Sequence, residues 1–188
     1  MKKLTYLFVA AGALGMVACN GNKPGYVITG TVEGAADGDT VFLQEVVGRQ
    51  LSKLDTAIIT KGTFTFEGVQ DSAVNRYITS GKGNEALLID FFLENGKINI
   101  ALTRDNDSAT GTANNDAYQE IRNKINALNQ KATPLYESMR SADITDEQKE
   151  ANMKELEKLE EELRQVYKEG IEKNITNPVG IHLFKSNY

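Results

Sequence analysis

The stretch Leu54-Asp55-Thr56-Ala57-Ile58-Ile59-Thr60-Lys61-Gly62-Thr63-Phe64-Thr65-Phe66-Glu67-Gly68 decides the fold class. Two short strand-like runs meet at Lys61-Gly62, a turn pair that predicts a hairpin. Phe64 and Phe66 lie two apart, so on a strand both rings point to one face, with Thr63, Thr65 and Glu67 on the other. The second run is therefore a core-facing strand. Asp55 and Thr56, its most polar neighbours, read as strand-entry and turn positions rather than a site.

Working outward, the same period continues on both sides. Upstream, YVITGTVE (26–33) and DTVFLQEVV (39–47) flank GAADG, whose Gly34, Asp37 and Gly38 suit a turn. Downstream come VNRYITS (74–80), ALLIDFFLE (86–94) and KINIALT (97–103). The last two are joined by Asn95-Gly96, which predicts a tight hairpin with positive φ at both residues. Ile98, Ile100 and Leu102 alternate with polar or small residues, giving one buried face, whereas 87–93 is apolar almost throughout and reads as a central strand. About seven such strands predict an antiparallel β-sandwich or a partly closed barrel over residues 26–112.

At Asn114 the period changes to about 3.6. Tyr118, Ile121, Ile125, Leu128, Ala132, Leu135 and Met139 form one apolar helical stripe, interrupted by Thr133-Pro134 as a kink or a restart. After the loop SADI, Thr145-Asp146-Glu147-Gln148 reads as a capping box opening a second helix, with Met153, Leu156, Leu159, Leu163, Val166 and Gly170 on its stripe. Glu150 with Lys154 and Glu160 with Arg164 are spaced to support its solvated face. The two helices should pair antiparallel, making an α+β chain with a helical hairpin over 113–177. Asn177-Pro178 then starts a terminal helix over 178–188.

The remaining features bound the function. With 188 residues, 40% of them hydrophobic and 25% charged, the chain can bury a full core, and its net charge of -5 makes it a poor nucleic-acid binder. Residues 1–18 have the layout of a secretory signal: Lys2 and Lys3, an apolar run to Val17, then Ala18 before Cys19. That run is shorter than the roughly 20 residues of a spanning helix, so it reads as a processed segment. Met16-Val17-Ala18-Cys19 resembles the lipobox of bacterial lipoproteins, with Met16 in place of the usual Leu, which implies lipidation at Cys19. Acyl chains, each CH₂ worth about 0.8 kcal/mol in a bilayer, would then hold the protein to a membrane. Asn20 after the Cys, in place of an Asp, resembles the pattern that favours the outer membrane, on its periplasmic face, and residues 19–25 form a short tether.

Chemistry-bearing constellations are few. Cys19 is the single cysteine, so the chain carries neither an internal disulfide nor a Cys-x-x-Cys pair. His182, the single histidine, reads as a surface or interface residue, because a catalytic base needs an orienting partner that the sequence does not display. Asp105, Asp107 and Asp116 take the first, third and twelfth places of an EF-hand-like loop, but Thr110 stands where the turn glycine belongs and no Glu closes it; a turn-rich linker accounts for it better. Gly81 and Gly83 lack phosphate-loop spacing, and the acidic helix 146–172 reads as a solvated face. No catalytic, cofactor-binding or metal residue is assigned, although a site built only from Asp and Glu stays open.

With these elements in place, the chain resembles the N-terminal domain, classed as of unknown function, that precedes the thioredoxin fold in lipid-anchored TlpA-like disulfide reductases. The resemblance is carried by 28–32 (ITGTV), 39–43 (DTVFL), 54–57 (LDTA), 62–68 (GTFTFEG), 92–96 (FLENG), Gly111-Thr112 with Asn115 and Tyr118, and 177–180 (NPVG). It implies a cell-envelope domain associated with a thioredoxin-fold partner. The redox activity of such proteins rests on a Cys-x-x-Cys that these residues lack, so none of it carries over. The expectation is a non-catalytic, lipid-anchored binding or scaffold module, either a stand-alone accessory domain or a shortened form of a longer reductase.

Overall fold

The computed structural model describes residues 25–81 and 86–187, so the signal, Cys19 and Gly83 lie outside the described residues. Eight strands are present there: β1 (Tyr26–Val32), β2 (Thr40–Val47), β3 (Gln50–Ile58), β4 (Phe64–Gly68), β5 (Val74–Ser80), β6 (Leu87–Leu93), β7 (Gly96–Leu102) and β8 (Ser108–Thr110). They form two four-stranded sheets, ordered β4-β1-β7-β8 and β3-β2-β5-β6. All pairs are antiparallel except β1 with β7, which run parallel. The inner faces share one core: Ile28, Phe64, Phe66, Ile98, Ile100 and Leu102 from the first sheet meet Val41, Leu43, Ile78, Ile89 and Phe91 from the second. This is the sandwich alternative; no closed barrel forms.

The Phe-x-Phe reading holds, with Phe64 and Phe66 buried edge to face at 5.7 Å. The turn beside it forms as expected, with φ of 53° at Lys61 and 74° at Gly62 and a Thr60–Thr63 bridge. Its flanking strands nevertheless part: β3 pairs with β2 and β4 with β1. The turn is thus a corner between sheets, pinned by Asp37, whose carboxylate accepts the Lys61 and Gly62 amides at 2.9 Å each. Those two amides hold the Asp37 carboxyl below its ordinary value. Asn95-Gly96 departs further from expectation: Gly96 sits at φ 138° while Asn95 is not left-handed, and β6 and β7 lie in different sheets. The Asn95 side chain bonds the Gln70 backbone instead, accepting its N–H at 2.9 Å and donating to its carbonyl at 2.7 Å. The hairpins that do form include β2–β3, across a two-residue turn with Gly48 at φ 67°.

Strand β6, read as central from its apolarity, is an edge strand whose outer face is covered by helices at Asp90 and Phe92 and open at Leu88. Helix α1 (Ala113–Met139) runs unbroken through Pro134, so of the two alternatives the restart does not occur. Helix α2 (Asp146–Lys173) opens on the expected capping box, Thr145 and Gln148 exchanging bonds of 3.2 and 3.0 Å. It returns antiparallel, bringing Lys173 to Glu120 at 3.0 Å. Glu150 and Lys154 pair at 2.7 Å, but Arg164 takes Glu161 at 2.8 Å rather than Glu160. Helix α3 (Pro178–Asn187) is capped by Asn177, whose side-chain oxygen accepts the Val179 amide at 3.0 Å. Phe92, Ile121, Val179 and Leu183 form a second core under these helices.

Candidate functional site

An aspartate in the middle of an apolar strand is costly to bury unless it is paired, and Asp90 of LLIDFFL is such a residue. Strand alternation turns Ile89, Phe91 and Leu93 inward and sends Leu88, Asp90 and Phe92 to the outer face, where the helices cover Asp90 and Phe92 and leave Leu88 exposed. There α1 supplies Tyr118 and Arg122 and α3 supplies His182. The Tyr118 hydroxyl donates to Asp90 Oδ2 at 2.8 Å; His182 Nε2 lies 3.3 Å from the same oxygen and 3.3 Å from the hydroxyl. Arg122 donates to the Asp90 carbonyl at 3.5 Å, and its Nη2 reaches both Asp107 oxygens at 2.7 Å. Phe92, Tyr118 and His182 stack edge to face in a ring trio, with centroids 5.4 to 5.7 Å apart, and the Arg122 guanidinium lies 5.8 Å over the Tyr118 ring.

The electrostatics follow from burial and from these donors. Burial pushes the Asp90 carboxyl upward, but hydrogen bonds from His182 and Tyr118, with the Arg122 and His182 charges, outweigh it and hold the group below its ordinary value. Burial and the adjacent Asp90 charge push the Tyr118 hydroxyl far above its ordinary value, so it stays a protonated donor. Tyr77, opposite Asp90 in the β5–β6 register, is raised by burial and by the same carboxylate. The cluster is thus a cross-brace in which one carboxylate collects donors from two helices.

Beside it, the first two turns of α1 close both sheets. Asn115, which is buried, accepts the Phe92 amide at 2.8 Å and donates to the Phe92 carbonyl at 2.7 Å and to Thr112 Oγ1 at 2.8 Å. One turn later Gln119 accepts the Ala109 amide of β8 at 2.9 Å. The free edges of β6 and β8 are therefore satisfied by two side chains four residues apart on one helix.

Of the residues singled out from sequence, His182 lies at the interface of α3, α1 and β6, and it has the orienting carboxylate that the sequence did not display. Asp107 and Asp116 are committed to Arg122 and to the Gly111 amide (2.8 Å), and β8 occupies the stretch read as linker. Among the described residues no three His, Cys, Asp or Glu converge on a metal position. Gly81, with φ 86°, lines an open notch of about 830 Å³ between the β1–β2 turn, Leu87 and Arg104, away from the cluster. Asp90, Tyr118 and Arg122 were not assigned from sequence as a cluster. The available signal was the single charge in LLIDFFL, which demands a partner.

Compared with known proteins, residues 26–118 match the model of a family described as a domain of unknown function (DUF4369). No curated protein matches the chain. The matched span takes in both sheets, Asp90, Asn115 and Tyr118, and stops before Arg122 and His182. Residues 26–118, the sandwich and the helical turns that close it, are thus similar to this family of domains of unknown function.

Proposed function

We propose that the chain is a non-catalytic, lipid-anchored module of the cell envelope that binds or scaffolds a partner protein. The observation that carries this reading is that the Asp90 cluster is spent on bracing: its carboxylate takes donors from α1 and α3, and Arg122 is engaged by Asp107. The binding surface is the outer face of the β2–β3 ribbon. Val46 and Leu51 are paired there across the strands, about half and two-fifths exposed, with Ile58 exposed further along and Lys53 over the Phe42 ring. The edge of β3 is guarded: the register shifts at Leu54, and Asp55 accepts the Thr56 amide at 2.7 Å. The partner therefore engages the face. Anchoring is inferred from Met16-Val17-Ala18-Cys19, and Asn20 after the Cys supports the periplasmic side of the outer membrane.

Two experiments test this. Cys19→Ala should release the protein from the membrane fraction and abolish acyl labelling; unchanged fractionation sinks the anchor. A photo-crosslinker at Leu51 should capture a discrete envelope partner that the same probe at Lys154 does not; equal capture at both sites sinks the binding face. A second reading rests on the sequence resemblance: an accessory part of a thioredoxin-fold disulfide reductase, with the redox domain supplied in cis or in trans. With Cys19 as the single cysteine, the dithiol comes from that other domain. A thioredoxin-fold protein captured at Leu51 supports this second reading, and insulin reduction by the isolated chain overturns both.

A further inference from the structure

The strands give the sandwich two distinct ends. At one, the Gly25 carbonyl accepts the Gly96 amide at 3.0 Å, Val69 packs beside Gly25, and Tyr26 is level with Gly68 and Gly96. At the other, Asp37 of the β1–β2 turn holds the Lys61-Gly62 corner. Strand β2 starts from that second end and runs back, so the β2–β3 turn, Gly48-Arg49, emerges at the Gly25 end. Helix α1 also starts there, with Thr112 beside Gly96, and runs past Phe92, Asp90 and Asp107 toward the opposite end. It leads to α2, which has ten acidic residues against six basic ones.

Cys19 and Gly25 are six residue steps apart, a span of at most about 22 Å when fully extended. Anchoring at Cys19 therefore keeps the Gly25 end next to the bilayer. The side chains at this end suit such a neighbour. Val47 and Val69 are 59% and 58% exposed. Strand alternation points Val47 to the opposite side of the ribbon from Val46, away from the face assigned to a partner protein. Residues 46–54 include Arg49 and Lys53 and no acid, and the Arg49 guanidinium has no carboxylate partner among the described residues. Of the acids near this end, Glu45 pairs with Arg76 at 3.2 Å and Glu94 accepts two bonds from Asn114. Glu67 shares a cross-strand row with Lys97, and Asp71 follows Val69 by two residues. An exposed apolar side chain beside an unpaired guanidinium matches the boundary between acyl chains and anionic headgroups.

We propose that the β2–β3 turn, together with Val69, is a membrane-contacting tip: Val47 enters the headgroup boundary and Arg49 meets lipid phosphates. The contact orients the anchored domain, with the acidic helical hairpin directed away from the bilayer. This inference rests on anchoring at Cys19, and its test is separate from the test of the anchor.

The mature chain from residue 19, coupled through Cys19 to a maleimide lipid, sits on vesicles whether or not cells acylate it, and Cys19 is its single thiol. The chain has no tryptophan, so Val47→Trp is a single fluorophore. On vesicles of phosphatidylcholine and phosphatidylglycerol doped with brominated lipid, Val47→Trp should be quenched. Met153→Trp, exposed on the half of α2 nearest the helical loop, should not. Adding Arg49→Gln should weaken the contact roughly fivefold, the worth of one basic residue near an anionic surface. Vesicles of phosphatidylcholine alone should weaken it at least as much. Absence of quenching at Val47→Trp, equal quenching at Met153→Trp, or quenching indifferent to Arg49→Gln or to lipid charge would each overturn the tip. Failure of the anchor shows instead as acyl labelling that Cys19→Ala leaves unchanged in cells, a readout independent of the vesicles.

Discussion

Replacing Asn115 with Ala removes the side chain that finishes the β6 edge. Three hydrogen bonds of 2.7 to 2.8 Å are lost. The larger effect is what remains: the Phe92 amide and carbonyl, on a residue 1% exposed, have no solvent to turn to. Each of these two buried polar groups left unpaired costs about 1–3 kcal/mol, so Asn115→Ala should cost roughly 2–6 kcal/mol. For a chain of this size each kcal/mol lowers the melting midpoint by about 2–4 °C, giving a fall of roughly 4–24 °C. Urea titration followed by circular dichroism measures the free energy, and the slope of the transition checks that the denatured state is unchanged. Asn115→Asp sharpens the test. Its carboxylate still accepts the Phe92 amide but faces the carbonyl without a donor, and protonation restores one, so this variant should lose less stability relative to wild type at pH 4 than at pH 7. A loss below about 0.5 kcal/mol for Asn115→Ala, the range of ordinary surface changes, would refute the edge-closing role.

Three further outcomes follow from the geometry. A methyl group at Gly30 would collide with the Phe64 ring tip and crowd the Ile100 carbonyl, so Gly30→Ala should cost about 1–3 kcal/mol in the same titration. Asp90 titrates below its ordinary value in the folded protein, so its contribution is complete above the unfolded aspartate pKa of about 3.9 and is lost as pH falls through the lower folded value; stability should drop less between pH 5 and pH 2 in Asp90→Asn than in wild type. Lys61 is the one non-glycine residue with positive φ among those described, and Lys61→Asn should gain up to about 1 kcal/mol, read as a raised melting midpoint, because Asn tolerates that conformation.

The positions of the strands and helices were legible because burial writes its period into the chain, as at 64–66 and along Ile98, Ile100 and Leu102. Pairing was not legible. Lys61-Gly62 and Asn95-Gly96 both mark reversals, yet a turn constrains only the residues beside it, and the flanking strands find better faces in opposite sheets. Apolarity on both faces of β6 was read as a central place among strands, whereas helices supply its second cover. Strand β8 is three residues long, too short to show a period, and it depends on Gln119 from a later helix. The Asp90 cluster draws on β6, α1 and α3, so sequence could show the need for a partner at Asp90 but not its identity.

The parallel pairing of β1 with β7 also sets an order of assembly. Every strand of the β3-β2-β5-β6 sheet lies between them in the chain, and all its pairs are antiparallel neighbours or near neighbours. That sheet can close early by short loops, while its companion waits for β7 and β8 to arrive at the far end. Until then the inner faces of Val41, Ile78, Ile89 and Phe91 stand bare. A chain synthesised N-terminus first carries this half-built sandwich until the first turns of α1 emerge. Ribosome stalling or truncation just before Asn115 thus leaves an open strand edge with one uncovered apolar face, the form most exposed to aggregation and to proteases.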